Sequence, residues 1–358
     1  MVTISLCMIV KNEEAVLARC LDSIKDVIDE IIIVDTGSTD ETKNIASRYT
    51  NLVFDFEWIN DFSAARNEAF SKATMDYQMW LDADDVFPEI SAKQLLELKS
   101  ILDPSTDVVT MKYVTHFDAD GNPILVSTRE RLTKREKNFI WQDPIHEFIQ
   151  MVGKIVRTDI EVHHKREKKE ERSYRNLNIY EHMESEIKKN GGSFTPRQLY
   201  YFARELKDHA NWLKSSYYFE KFINSGAGWV EDIIAACFNL SICYRQLGSE
   251  HKIVPLLLKS FEYDAPRAEI CCEIGYFYKR AHKYDVALKW FQIAANLDAS
   301  DSTGFILQDY HGYIPNIESC VCCSLLKDFE RARQFNERAA SYKNTPAIDH
   351  NREFLYTV

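Results

Sequence analysis

The densest group of reactive side chains in the sequence is Asp82-Ala83-Asp84-Asp85. Carboxylates this close repel one another unless a cation neutralises them. Hard oxygen ligands suit Mg2+ or Mn2+. An ion there has the charge to bridge the two phosphates of a nucleotide-sugar and to stabilise a leaving diphosphate. The plainer alternative is a polar turn that caps the next helix. Asp35 is suited to hydrogen bonds from a ribose or base, or equally to an Asx turn about Gly37. Arg66 and Asn67 offer a cation and an amide to a phosphate, or else a surface ion pair. His146-Glu147 follows Trp141 closely, so an aromatic surface for a sugar stands near a general base. The alternative is a polar strand end. His163-His164 closes another strand, where an imidazole completes a metal shell or serves a structural role.

The elements that position these residues are legible from periodicity. Val2–Val10, Glu30–Val34, Leu52–Phe56 and Tyr77–Leu81 are short apolar runs that predict strands. Between them, Asn12–Val27, Thr39–Tyr49 and Phe62–Ala73 have helical spacing, with Ser38 or Thr39 as N-cap of the second. The alternation predicts a parallel, doubly wound α/β sheet. Ligands bind such sheets beyond the C-terminal strand ends. Three polar clusters fall at that edge: Lys11-Asn12-Glu13, Asp35-Thr36-Gly37-Ser38 and Asp82-Ala83-Asp84-Asp85. Residues 107–164 predict further strands at Asp107–Thr115, Pro123–Thr133 and Lys154–His164, with a turn at Asp120-Gly121-Asn122-Pro123. These strands are expected to build the acceptor side of a cleft. Lys165–Arg172 is a mixed charge run, read as a solvated linker.

From about Ser173 the pattern turns helical and repetitive. Ala268–Asp301 spans 34 residues, with Gly275, Tyr278, Ala287, Phe291 and Ala294 at tetratricopeptide spacing. Ile234–Arg267 repeats it through Leu240, Ser241 and Tyr244. Weaker copies begin near Pro196, with Phe202 and Ala203, and near Tyr313, with Ala332 and Ala339. About four helical hairpins are expected, the outer ones acting as caps, with an insertion at Ser302–Gly312. The domains read as 1–170 and 171–358.

Composition bounds the function. The chain has 358 residues, 45% hydrophobic and 28% charged, an ordinary globular balance. A net charge of −11 argues against nonspecific nucleic-acid binding. No signal peptide or transmembrane segment is read from the sequence. Nine cysteines without a secretion signal indicate free thiols in a reducing cytoplasm. They lack the two Cys-x-x-Cys pairs of a four-cysteine zinc site and read as small buried residues rather than zinc ligands.

Taken together, four segments resemble glycosyltransferase family 2, with its GT-A fold. They are Cys7-Met8-Ile9-Val10-Lys11-Asn12-Glu13-Glu14, Ile31-Ile32-Ile33-Val34-Asp35-Thr36-Gly37-Ser38-Thr39-Asp40, Phe62-Ser63-Ala64-Ala65-Arg66-Asn67 and Leu81-Asp82-Ala83-Asp84-Asp85. Ile145-His146-Glu147, His163-His164 and Arg175-Asn176-Leu177 resemble the branch fused to tetratricopeptide-like repeats. The fold class implied is a Rossmann-like nucleotide-sugar-binding α/β domain followed by an all-α helical-repeat domain.

The resemblance implies an inverting transfer from a UDP-sugar that depends on Mg2+ or Mn2+. It implies metal ligation by Asp84, with Asp82 at the ribose or metal and His164, less so His163, at the metal or diphosphate. Asp85 is a further ligand or stands behind the ligands. Met8, Val10, Asn12, Glu13, Asp35 and Thr36 are expected at the nucleotide, with Arg66, Asn67, Asp82, Ala83, Trp141 and His146 completing the donor site. Thr36 departs from the many members that carry a second Asp there. Glu147 is the candidate base. The branch includes bacterial enzymes that glycosylate small peptides such as bacteriocins on Cys or Ser, and others that act on cell-surface saccharides. The repeats favour a peptide or protein acceptor, because their concave surface suits extended chains. A homodimer is a second use for the same surface. The competing readings are a saccharide or lipid-linked acceptor, and a noncatalytic repeat-based adaptor.

Overall fold

The apolar runs of the first half become strands in a computed structural model, which describes residues 1–117, 121, 123–165, 173–297 and 307–357. Asp120 and Asn122 of the expected turn Asp120-Gly121-Asn122-Pro123, residues 166–172 of the charge run Lys165–Arg172 and residues 302–306 of the insertion Ser302–Gly312 lie outside the described residues. The chain divides into two units, Met1–Ile179 and Tyr180–Val358.

In the first unit the elements run β1 (Ile4–Val10), α1 (Leu17–Asp22), β2 (Glu30–Asp35), α2 (Thr42–Ala46), β3 (Val53–Asp55), α3 (Phe62–Ser71), β4 (Tyr77–Trp80), β5 (Asp85–Val86), α4 (Glu89–Ile101), β6 (Val108–Phe117), β7 (Pro123–Lys134), β8 (Trp141–Gln142), β9 (Phe148–Ile149), β10 (Ile155–His164) and the start of α5 (Arg175–Asn190). An eight-stranded sheet has the order β3-β2-β1-β4-β7-β6-β10-β5. The first four strands are parallel, as their alternation with helices dictates. β7 then runs antiparallel to β4 and β6, β10 parallel to β6, and β5 antiparallel to β10. A separate ribbon pairs β8 with β9.

Side chains alternate across this sheet. Ile4, Leu6, Met8 and Val10 of β1 enter the core on one face, with Ile33, Met79, Met111 and Tyr113. Cys7, Ile32, Val34 and Trp80 enter the core on the other, with Phe70 and Trp141. Both faces are covered, which is why these strands read as continuous apolar runs.

Two helices are shorter than the periodicity predicts. The run Asn12–Val27 is helical only over α1, because the chain before it is stapled to the β2–α2 loop. Asn12 takes a left-handed φ of 54°. Its backbone N–H donates to Ser38 Oγ (2.9 Å), and its side-chain oxygen accepts from the Thr39 N–H (2.8 Å). The Glu13 N–H donates to Thr42 Oγ1 at 2.7 Å. The same staple corrects the cap assigned to Ser38 or Thr39. Both are occupied by Asn12, so α2 begins at Thr42 and its N-cap Glu41 makes no side-chain cap.

The second unit is helical. It pairs α6 (Pro196–Asp208) with α7 (Trp212–Asn224), α8 (Val230–Gln246) with α9 (Ile253–Lys259), α10 (Ala268–Arg280) with α11 (Tyr284–Ala295) and α12 (Tyr313–Leu325) with α13 (Phe329–Tyr342), followed by α14 (Pro346–Thr357). Thr195 starts α6 with a reciprocal capping box through Gln198. Gly275 has a packing reason. A Cβ there would lie 2.8 Å from the ring of Phe291, so its absence lets α10 and α11 close up. Phe291 is fully buried, which stabilises the fold by roughly 2–3 kcal/mol. Phe202, Ala203, Leu240, Ser241, Ala332 and Ala339 hold equivalent buried positions. All nine cysteines are buried and unpaired, as small core residues. No helix among the described residues is long and apolar enough to cross a membrane.

Candidate active site

A cavity of about 610 Å³ opens at the C-terminal strand edge of the first unit. It is lined by Val10, Asn12, Glu13 and Thr36 from the β1 and β2 ends, by Asp82, Ala83 and Asp84 after β4, and by Arg66, His146, Glu147 and His164. The three polar clusters read from the sequence therefore converge on one space.

The acidic turn is built from several sides. The backbone N–H of Asp85 donates to the Asp82 carbonyl (3.0 Å), closing the turn. β5 pairs with the end of β10 so that Asp85 lies opposite His164. The Lys165 N–H then donates to the Asp84 carbonyl at 2.8 Å. One ligand atom each from Asp84, Asp85 and His164 lie within 4.8 Å of one another. His164 Nδ1 sits 3.3 Å from Asp84 Oδ1 and 3.3 Å from Asp85 Oδ1. Burial opposes a charged imidazole, but hydrogen bonds to Asp84 and Asp85 outweigh it and push its pKa up to about 10. These two carboxylates thus favour a cation at this point, either the imidazolium or a divalent ion in its place.

Asp85 also stands behind this group. It is fully buried and ion-paired to the equally buried Arg131 at 3.2 Å. Its Oδ1 accepts from the Tyr113 hydroxyl (2.9 Å), and its Oδ2 accepts from the Asp82 N–H (3.1 Å). The Arg131 guanidinium lies 3.8 Å from the Trp80 ring centroid and 4.4 Å from that of Tyr113. Removing either partner would strand a buried charge.

Across the cavity, Arg66 joins two carboxylates. Its Nη2 donates to Asp82 Oδ1 at 2.8 Å and its Nε to Glu147 Oε1 at 2.7 Å. Its guanidinium lies 4.9 Å from the ring centroids of both Trp80 and Trp141. Burial disfavours the Asp82 carboxylate, yet Arg66, with Arg131 and His164 beyond, holds its pKa below the ordinary range.

Four expected donor residues do not line the cavity. Met8 points into the core on the face of Ile4 and Leu6 and is fully buried. Asp35 is 1% exposed, and its Oδ1 accepts from the Gly37 (2.9 Å) and Ser38 (2.8 Å) N–H groups. This is the Asx turn. Asn67 clamps Trp141, accepting from its N–H (2.9 Å) and donating to its carbonyl (3.0 Å). Trp141 is 2% exposed and packs edge-on against Trp80 and Phe70. Asn67 and Trp141 therefore anchor the β8–β9 ribbon whose connecting loop carries His146 and Glu147. His163 turns away, pairing with Glu161 at 2.8 Å.

The sequence reading missed Trp58, Tyr113 and Arg129, which also line the cavity, and Arg131 beneath it. The available signal was the Arg129-Glu130-Arg131 run inside a strand. A buried Arg there requires a partner.

Residues 5–161 match the family model for glycosyl transferase family 2. The first unit carries a family 2 glycosyltransferase domain. The chain is 39% identical over 150 residues, 42% of its length, to a TPR repeat-containing protein of Synechococcus elongatus, covering 36% of that protein. It is 25% identical over 293 residues, 77% of its length, to the SPbeta prophage-derived glycosyltransferase SunS of Bacillus subtilis, covering 65% of that protein. The match thus spans between about a third and two thirds of these relatives. A glucosyl-3-phosphoglycerate synthase from Mycobacterium tuberculosis, solved with Mn2+, UDP and phosphoglyceric acid, superposes with a TM-score of 0.37 at 16% identity. That alignment covers 54% of this chain and 80% of the other. The family 2 domain and its mixed sheet agree with the GT-A-like fold expected from the four motifs.

Proposed function

We propose that this family 2 protein transfers a sugar, with inversion, from a UDP-sugar to a Ser or Cys side chain of a peptide or protein. The observation that carries the reading is the shared cavity. The cluster of Asp82, Asp84 and His164 lies on it, and so does Glu147, bridged to Asp82 through Arg66. A diphosphate and an acceptor base are thereby served by one space.

The donor nucleotide is assigned to Val10, Asn12, Glu13 and Thr36 at the strand ends. Mg2+ or Mn2+ fits Asp84 and His164, whose oxygen and imidazole donors converge with Asp85, with Asp82 on the same cavity. Such an ion supplies Lewis-acid stabilisation of the leaving diphosphate. Glu147 takes the proton from the acceptor hydroxyl or thiol. The acceptor oxygen or sulfur bonds to the anomeric carbon from the face opposite the diphosphate. The anomeric carbon–oxygen bond breaks, and its electron pair leaves with the diphosphate. The helical repeats are assigned to acceptor recognition, since hairpin stacks present extended grooves to extended chains. The match to the glycosyltransferase SunS extends past residues 5–161 into the helical part, covering 77% of this chain.

The test is mass spectrometry of Ser- and Cys-containing peptides incubated with UDP-sugars and Mn2+. A hexose-type mass gain on Ser or Cys is expected. Transfer to a saccharide with no modified peptide would overturn the acceptor assignment.

A further inference from the structure

Arg66 does not have the surroundings of a phosphate clamp. Its side chain is only 8% exposed. Two edges of the guanidinium are already committed, Nη2 to Asp82 and Nε to Glu147. Its third nitrogen, Nη1, is buried with no hydrogen-bond acceptor among the described residues. The indole faces of Trp80 and Trp141 offset part of that loss. A planar fork packed against two indoles and paired at two edges has little freedom to swing toward a ligand. It has every constraint needed to fix what it holds.

We propose that Arg66 is a positioning residue that sets the orientation of the Glu147 base relative to the acidic turn. The proposal rests on the transferase reading above. Glu147 sits in the loop joining two two-residue strands, β8 and β9, and such a short ribbon is a weak support by itself. Arg66 ties that loop to the end of β4, a central strand of the sheet. One carboxylate oxygen of Glu147 is fixed by the pair, which defines how the carboxylate meets an acceptor. Lysine cannot replace this function, because a single ammonium lacks the two-edged planar geometry. Asn67 secures the same ribbon from the next position of α3, so consecutive residues of one helix hold the loop.

The test compares the wild type with Arg66→Ala and Arg66→Lys. UDP binding is measured by calorimetry with Mn2+, and turnover by UDP release from UDP-glucose and UDP-N-acetylglucosamine with water as acceptor. Arg66→Ala is expected to lower turnover by about 100-fold or more, the scale of a misplaced base, while the UDP Kd stays within about threefold. Added guanidinium is expected to restore turnover by at least about tenfold by refilling the space beside the two indoles and re-pairing Glu147. Arg66→Lys keeps charge and most of the volume, so it covers a failure of the alanine variant to fold. It is expected to bind UDP and not to recover turnover. A parallel fall of UDP affinity and turnover, or undiminished turnover, overturns the proposal. A crystal structure of Arg66→Ala, or of Arg66→Lys, decides the pairing without any turnover. A displaced Glu147 carboxylate supports the bridge, and an unmoved one overturns it. Failure of the transferase reading shows separately, as absence of UDP binding in the wild type.

Discussion

Asp84 and Asp85 are neighbours in sequence with different surroundings. Asp84 lies on the cavity, while Asp85 is sealed against Arg131 and Tyr113. Their substitutions should therefore fail differently. Asp84→Asn is expected to lose metal-dependent turnover by about 100-fold or more, with a melting temperature close to that of the wild type. Arg131→Ala leaves Asp85 as an uncompensated buried charge and is expected to cost about 3–5 kcal/mol of stability in denaturant unfolding. Glu147→Gln keeps the shape of the base without its proton affinity. It should retain UDP binding in calorimetry and lose transfer by about 100-fold or more.

At the scale of elements, neighbouring residues in one strand or helix divide into those that line the cavity and those that hold the first group in place. That division decides what was legible in the sequence. The acidic turn and His164 could be read because each ends an apolar run, and strand ends in an α/β sheet point at ligand. Met8 could not be separated from Val10 by motif alone, since a motif does not say how far along the strand the core extends. Asp35 closes its turn through Oδ1 alone and leaves Oδ2 buried without a hydrogen-bond partner among the described residues, so the turn that short-range spacing offered does not use up the carboxylate. Asn67 and Trp141 find one another across 74 residues, and local periodicity carries no trace of such a bond. Arg131 escaped notice because a charged residue in a strand is first read as facing solvent. In the repeats, Gly275 was legible because the tetratricopeptide spacing specifies a small residue there. Gly275→Ala should gain about 1 kcal/mol in helix propensity and lose more to the clash with Phe291. A net destabilisation of roughly 1–2 kcal/mol is expected, read from the melting curve.

At the scale of the whole molecule, the chain joins a family 2 glycosyltransferase domain to a stack of helical hairpins. The net charge of −11 makes a local positive centre necessary wherever a diphosphate is to bind. In the first unit Asp84, Asp85 and His164 come together at one point, where a divalent ion would supply that charge. The central claim is that this centre takes a nucleotide diphosphate together with a divalent ion. Calorimetric titration of UDP into the wild type and Asp84→Asn, each with and without Mn2+, tests it most directly. The account predicts UDP binding that requires Mn2+ and is lost in Asp84→Asn. UDP binding that is indifferent to both the ion and Asp84, or no UDP binding by the wild type, would contradict it.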